Sequence, residues 1–157
     1  MRWKQLFLMF AVCMTLGLCL FNTDAGAAST YRIKINKQKN TVTVYKRKGG
    51  DYEPYKAFVC SVGKATPTGK FRIYQKHRWR ALVDSTYGQY CSRFVGPILF
   101  HSVWYHKPNP ATLSNEEYNK LGTTASHGCI RLSVQDAKWI YDHCSMGTPV
   151  IVYRSAN

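Results

Sequence analysis

Apolar and polar residues alternate along the first part of the chain that follows residue 28. Residues 31–35 and 41–45 each alternate with a period of two, and the polar segment between them is typical of a hairpin turn. The glycines at positions 49 and 50 predict a second turn. A third strand is then expected over residues 55–62, ending at Gly63.

Four later runs are also rich in strand-forming residues. They cover residues 71–74, 81–83, 98–103 and 150–153. The run over 98–103 is mainly apolar and therefore predicts a strand deep in the core. The sequence predicts a mainly β fold.

Two segments carry the signals of a helix start. Ser114 stands three residues before Glu117, which is capping-box spacing, and Gly122 predicts the end of a short helix. Ser133 predicts the cap of a second helix, because an amphipathic pattern over residues 134–141 follows it. We expect one short helix and one longer helix near the end of the chain.

The first 27 residues differ from the rest in composition. Two basic residues precede an apolar run over 6–21, and Ala25-Gly26-Ala27 is a small-residue cleavage signal. The run is shorter than the roughly 18 to 20 apolar residues that span a bilayer. We therefore expect a signal peptide at 1–27 and one domain at 28–157, exported to the cell wall or periplasm. An uncleaved membrane anchor is the alternative.

The chain is strongly basic, with 22 Lys and Arg against 8 Asp and Glu and a formal charge of +14. Without the signal peptide, 20 basic and 7 acidic residues remain, a charge of +13. An exported protein rarely meets nucleic acid, so we expect anionic wall polymers as partners and no nucleic acid. A purely solubilising surface is the alternative. We expect a monomer.

The cysteines leave the disulfide pattern open. Two of the six lie in the signal peptide, and four remain, which allow three pairings. If Cys129 must stay free to react, at most one disulfide can form among the others, which are Cys60, Cys91 and Cys144.

The segment Ser126-His127-Gly128-Cys129 carries the strongest chemical signal, because it precedes the predicted last helix. A thiol at a loop-to-helix junction lies near the positive end of the helix dipole, which lowers its pKa, and near free N–H groups that can hold an oxyanion. Gly128 lets the backbone approach a substrate carbonyl.

A cysteine nucleophile needs a base, and His101 is the best candidate among five histidines. It follows the apolar strand that would fix its position, and it precedes Ser102, which could orient the ring. His127 is only two residues from Cys129, so we expect it to shape the loop or to contact substrate.

These residues resemble the signature of the L,D-transpeptidase catalytic domain family. That signature is a His on a strand followed at a distance by Ser/Thr-His-Gly-Cys, here His101 and residues 126–129. Residues 61–63 and 66–71 are similar to the family's upstream strand, turn and strand. The resemblance covers residues 31–153. It implies the family's fold, with β-sandwich-like sheets, a short inserted helix and one helix after the cysteine loop.

The resemblance also implies a role for each residue of the motif. Cys129 is the nucleophile, and peptidoglycan tetrapeptide stems and carbapenems acylate it. His101 is the general base, oriented by Ser102. The oxyanion and substrate site comprises Ser126 and the backbone N–H groups of His127, Gly128 and Cys129, with Arg131 holding the loop or a substrate carboxylate. No cofactor and no metal are implied.

The chain departs from the shortest family pattern in two ways. Between His101 and Ser126 lie 24 residues, which implies an inserted loop over 105–124 that flanks the cleft. Arg131 stands two residues after Cys129, where other members have Asn. The second departure is a variation that leaves catalysis possible.

The resemblance implies that the exported enzyme releases D-Ala from the stem and transfers the acyl group to an amine, which cross-links the cell wall. Several other functions compete with this one. Hydrolysis of the same acyl-enzyme would make the protein a carboxypeptidase. The presence of Cys129 and His101 disfavours a non-catalytic wall-binding module. An unrelated cysteine peptidase would need an Asn or Asp partner for its His, and the sequence singles out none. A zinc site is disfavoured by the absence of close ligand pairs, and the glycine-rich segment 63–70 does not match a phosphate-binding loop.

Overall fold

The computed structural model describes residues 29–155, so the predicted signal peptide lies outside the described residues. Within this part the chain forms nine strands and two α-helices, α1 (Asn115–Tyr118) and α2 (Val134–His143). The strands are β1 (Tyr31–Asn36), β2 (Thr41–Lys48), β3 (Asp51–Ser61), β4 (Gly69–Arg72), β5 (Gln75–Ala81), β6 (Tyr87–Val95), β7 (Ile98–Ser102), β8 (Ile130–Leu132) and β9 (Pro149–Tyr153).

The strands form one sheet in the order β4-β9-β1-β2-β3-β8-β7-β6-β5. Strand β3 belongs to both halves, because most of its length pairs with β2 while Cys60 and Ser61 pair with Leu132 and Arg131 of β8. Strands β7 and β8 are parallel neighbours. The predicted mainly β architecture, with a short inserted helix and one helix after the cysteine loop, is confirmed.

Both halves of the sheet turn one face toward a single hydrophobic core. The first half contributes alternate residues of β1, β2 and β9, and the second half contributes alternate residues of β7 and β8. Helix α2 covers these residues with Ala137 and Ile140. The outer faces of the two halves therefore belong to different surfaces of the molecule. The predicted period-two pattern of β1 and β2 is this alternation of buried and outward positions.

One predicted strand is wrong, and strands β5, β6 and β8 were not predicted. The strand expected at 81–83 is wrong, because β5 ends at Ala81 and the chain turns through a 3-10 segment at Val83–Ser85, where Asp84 has a φ of 56°. Strand β6 was not predicted. Most of its residues are buried, so it lacks the alternation of a half-exposed strand, and Tyr90 interrupts it with a φ of 54°.

Both predicted helix caps are confirmed. The Ser114 hydroxyl accepts from Glu117 N at 3.3 Å, and the Ser133 hydroxyl accepts from Asp136 N at 3.1 Å. Helix α2 ends at His143, two residues beyond the predicted amphipathic pattern. Over residues 29–155, no helix combines the length and the apolar character that crossing a membrane requires.

The four described cysteines are all free thiols. Three of them, Cys60, Cys91 and Cys144, are buried, and burial raises the pKa of each to about 12. These three side chains therefore pack as small apolar groups at neutral pH.

Candidate active site

The parallel pair of β7 and β8 brings the predicted nucleophile and base together. His101 pairs with Arg131, and Phe100 pairs with Ile130, so Cys129 comes opposite Leu99. Phe100 and Ile130 point into the core. His101, Cys129 and Arg131 therefore share the outer face of this half-sheet.

That outer face forms one wall of a cavity of about 580 Å³. The predicted residues Ser126, His127, Gly128, Cys129, His101 and Arg131 all line it, whereas Ser102 does not. Residues 80–83, at and just beyond the end of β5, also line the cavity, and three of these four are apolar. No Asp or Glu lies among the described residues that line the cavity.

His101 is held in one orientation by the backbone. Only 2% of its surface is exposed, and its Nδ1 lies 2.5 Å from the carbonyl oxygen of Ser102. Because a carbonyl can only accept, Nδ1 carries the proton and Nε2 keeps its lone pair. Burial lowers the pKa of His101 to about 4, so the ring is neutral at neutral pH.

Ser102 contacts the His101 ring through its main chain and not through its hydroxyl. Its hydroxyl accepts from Gln89 N at 3.1 Å and donates to the Val103 carbonyl at 2.8 Å. The contact with His101 comes from the main-chain carbonyl instead. The hydroxyl of Ser102 therefore ties β7 to β6.

The expectation of a helix dipole at Cys129 is wrong. Strand β8 separates Cys129 from α2, so the thiol lies at a loop-to-strand junction rather than at a helix start. Burial raises the pKa of Cys129, while the Leu99 N–H, Arg131 and Arg93 oppose that rise. At neutral pH the site therefore holds a thiol beside a neutral imidazole rather than a preformed ion pair.

The loop over 126–129 is fixed by hydrogen bonds to its carbonyls. Ala65 N donates to the His127 carbonyl at 3.0 Å, and the Thr66 hydroxyl donates to the Gly128 carbonyl at 2.6 Å. In a trans peptide the N–H points opposite to the carbonyl, and no peptide bond in the described chain is cis. The N–H groups of Gly128 and Cys129 therefore both point away from this support.

The remaining members of the loop have different positions. The Ser126 hydroxyl donates to the Cys129 carbonyl at 2.5 Å and closes the loop on itself. The side chain of His127 is exposed at the mouth of the cavity. The His127 side chain therefore lies where a substrate can reach it, and the residue supports the loop only through its carbonyl.

Gly63 provides a contact that sequence reasoning did not assign. A Cβ on Gly63 would lie 2.3 Å from the backbone nitrogen of Gly128, so the two backbones touch with no side chain between them. Gly63 N also donates to the Thr66 hydroxyl at 3.0 Å, and Ser126 N donates to the Val62 carbonyl at 3.2 Å. The only sequence signal for this support was the likeness of residues 61–71 to the family.

The inserted loop reaches the site through an ion pair. The guanidinium of Arg131 pairs with the carboxylate of Glu117 on α1, and both side chains are nearly buried, with 13% and 12% exposed. Lys120 is a second partner of Glu117, at 2.5 Å. Arg131 therefore holds the insertion against β8.

The histidines outside the motif do not join the site. His106 is exposed in the insertion, and His143 stacks on Trp139 of α2. In residues 29–155 there is no group of three or more His, Cys, Asp and Glu side chains that could hold a metal ion.

Comparisons with known proteins agree with the motif. Residues 30–152 match the family model for the L,D-transpeptidase catalytic domain. Among curated proteins, the chain is similar to the candidate L,D-transpeptidase YciB of Bacillus subtilis. The identity is 38% over 93 residues, which are 56% of this chain and 46% of that protein.

Two solved structures have a similar fold. The LD transpeptidase LdtMt1 in complex with imipenem is 24% identical with a TM-score of 0.63, covering 79% of this chain and 59% of that chain. An L,D-transpeptidase from Mycobacterium tuberculosis H37Rv is 25% identical with a TM-score of 0.61, covering 79% and 57%. The chain spans about half the length of the relatives it matches.

The contact between Gly63 and Gly128 predicts the effect of adding one methyl group. We expect Gly63→Ala to lower the free energy of unfolding by about 1 to 3 kcal/mol, as overpacking does, and to change the alkylation rate of Cys129. The control is Gly49→Ala, because Gly49 has open space around it and only backbone strain is added. Urea unfolding and iodoacetamide kinetics measure both effects. An unchanged Cys129 rate in Gly63→Ala would contradict this account of the loop.

The buried His101 predicts that stability falls as the pH is lowered. Below about pH 6.5 the unfolded chain takes up a proton at this residue, while the folded chain resists until about pH 4. The unfolded state then binds more protons, so up to about 3 kcal/mol of stability is lost across that window.

Urea unfolding between about pH 7 and pH 5 measures this loss. We expect a shallower loss in His101→Gln than in the wild type. The exposed His106 supplies the control, because His106→Gln should keep the wild-type slope. Burial also lowers the pKa of His77, so part of the slope should remain in all three proteins. Identical slopes in the wild type and His101→Gln would refute the assignment.

Proposed function

Because the chain belongs to the L,D-transpeptidase catalytic domain family, we propose that it is an exported cysteine transpeptidase that cross-links peptidoglycan through an acyl-enzyme on Cys129. One observation carries the proposal. Cys129 and a neutral His101 line the same cavity, within the residues that match the family model.

The first half of the reaction is acylation. Nε2 of His101 takes the proton of the Cys129 thiol, and the sulfur attacks the carbonyl carbon of the third residue in a tetrapeptide stem. The N–H groups of Gly128 and Cys129 donate to the oxyanion, which their shared direction supports. The intermediate collapses to a thioester, and the terminal D-Ala leaves with the proton held by His101.

The second half transfers the acyl group. An amine of a neighbouring stem gives a proton to His101 and attacks the thioester, which forms the cross-link and restores the thiol. Water in place of the amine would release the shortened stem, and the protein would then be a carboxypeptidase. The pKa values of His101 and Cys129 support proton transfer during the attack rather than a resting thiolate.

Two other classes remain as competing hypotheses. A non-catalytic wall-binding module would bind stems without releasing D-Ala. A cysteine peptidase acting on protein would cleave ordinary L-peptides. A cysteine peptidase uses an Asn or Asp side chain to orient its His, whereas here the Ser102 carbonyl contacts the His101 ring. This contact favours neither competing class over the transpeptidase. Substrate preference distinguishes all three.

We also propose that residues 1–27 are a signal peptide and that the domain acts as a monomer outside the cytoplasm.

The charge of the outer face of the first half-sheet supports an anionic partner on that face. Strands β4, β9, β1 and β2 are neighbours in the sheet, and none of them contains Asp or Glu. This face, named the basic face below, carries the outward cations Arg32, Lys34, Lys70 and Arg72.

The cations of the basic face border a shallow groove over β9. Lys70 and Lys34 flank Ile151, and Arg72 and Arg32 flank Pro149. In the described part of the chain none of the four takes part in an ion pair. We infer that an anionic wall polymer with repeated phosphodiesters binds here, since fixed cations attract such a chain.

The nucleophile assignment predicts the outcome of cysteine replacement. Cys129→Ala should abolish D-Ala release from disaccharide-tetrapeptide, because no other described thiol lines the cavity. Cys60→Ala, Cys91→Ala and Cys144→Ala each remove a buried sulfur and should retain activity. Mass spectrometry of the products measures release and separates cross-linking from hydrolysis. Full activity in Cys129→Ala would overturn the mechanism.

A covalent inhibitor provides a second readout of the same assignment. Since one relative of similar fold is known in complex with imipenem, we expect this carbapenem to form a one-to-one adduct on Cys129. Intact mass and peptide mapping locate the adduct. An adduct on Cys60 instead, or none in the wild type, would count against Cys129.

If the basic face binds the wall polymer, substitutions there should weaken polymer binding without affecting catalysis. We expect Arg32→Glu with Lys34→Glu to weaken binding to poly(glycerol phosphate) by on the order of tenfold at low salt, with a shallower salt dependence. Release of D-Ala from a soluble stem should not change, because the cavity lies on the other half-sheet. The control reverses two exposed cations elsewhere, Arg78 and Lys107. Equal weakening by both pairs would show a response to net charge alone.

A further inference from the structure

Two arginines line the cavity without a partner of opposite charge. Arg80 lies next to Ala81, the last residue of β5, and Arg93 lies on β6. No ion pair in residues 29–155 includes either of them, and the cavity lining has no Asp or Glu. Arg131 differs, because Glu117 neutralises it. The cavity therefore contains two uncompensated positive charges.

Arg93 lies in the same row of the sheet as the nucleophile. It pairs with Leu99, and the Leu99 N–H points to the sulfur of Cys129. Two strand spacings, about 10 Å, therefore separate the backbones of Arg93 and Cys129. The side chain of Arg93 can span most of this distance across the cavity floor, and its charge acts on the Cys129 thiol.

One edge of the Arg93 guanidinium has an unsatisfied donor. A terminal nitrogen donates to the Gly96 carbonyl at 3.0 Å, whereas the buried Nε has no hydrogen-bond partner. Nε and the other terminal nitrogen form a fork that matches the two oxygens of a carboxylate. A buried donor without a partner is costly, so a ligand that satisfies it gains free energy on binding.

We propose that Arg93, assisted by Arg80, binds the free α-carboxylate of the residue that leaves during acylation. This rests on the proposed function, in which that residue is the terminal D-Ala of a tetrapeptide stem. Its carboxylate lies about one residue, roughly 3.8 Å, beyond the scissile bond. With the scissile carbonyl at Cys129, the carboxylate then falls between the sulfur and the guanidinium of Arg93.

This carboxylate site determines which stems react. A stem that ends at the fourth residue presents a carboxylate to Arg93. A stem with a fifth residue presents a neutral amide at the same place. The buried Nε of Arg93 is then left without a charged partner. Arg93 would therefore be a specificity residue that selects chains by where they end.

The test compares two soluble stems that differ only at the end of the fourth residue, which is a free carboxylate or a carboxamide. We expect the wild type to be acylated by the acid about 10²-fold faster, in kcat/KM, than by the amide. Arg93→Gln should lose most of that preference by slowing the acid alone, and Arg93→Lys should recover part of it. Arg78→Gln on β5 lies outside the cavity lining and should behave as wild type.

The outcomes separate the two proposals. Urea unfolding with the wild-type midpoint shows that each variant is folded, because removing the Arg93 charge itself changes the alkylation rate of Cys129. If the wild type has no preference for the acid, or if Arg93→Gln keeps the preference, the carboxylate site is wrong while the transpeptidase function stands. If the wild type is alkylated normally but releases neither D-Ala from the acid stem nor D-Ala amide from the carboxamide stem, the proposed function itself is wrong.

Discussion

The close contact between two backbone segments is the constraint on which the candidate site depends. Gly63 approaches Gly128 with no room for a side chain, and Thr66 bridges the two segments with its hydroxyl. This contact turns the carbonyls of the loop toward the β3–β4 turn and its N–H groups the other way. The direction of the N–H groups and the position of Cys129 beside Leu99 both follow from it.

Burial then sets the charge state of the site. His101 is neutral because it is buried, and the pKa of Cys129 is raised for the same reason. A neutral pair costs less to bury than an ion pair would, so the fold can enclose the site without a compensating network. The positive charge in the cavity comes from Arg93 and Arg80 at a distance, where it is available to a substrate anion.

Local patterns predicted the parts of the fold that local physics determines. The alternation in β1 and β2, the apolar run of β7 and the caps Ser114 and Ser133 each depend on a few neighbouring residues. Strand β6 was missed because burial on both faces removes the alternation, and β8 because it is only three residues long.

For the site as well, sequence patterns predicted only what depends on neighbouring residues. His101 and Cys129 were found because each lies in a short motif, and the cavity contains both. The supporting role of Gly63, the carbonyl of Ser102 and the pairing of Arg131 with Glu117 depend on register between strands that are distant in sequence. The helix-dipole argument at Cys129 failed for this reason, since three residues of strand separate Cys129 from the helix that Ser133 caps.

The arrangement of the sheet bears on how one small domain could bind the wall and act on it. Strand β3 joins two half-sheets that share a core, so the basic face and the cavity lie on different outer surfaces. A polymer bound at Arg32 and Lys34 would not compete with a stem at Cys129. Binding at the first surface would raise the local concentration of stems near the second, and the gain requires no contact between the two sites.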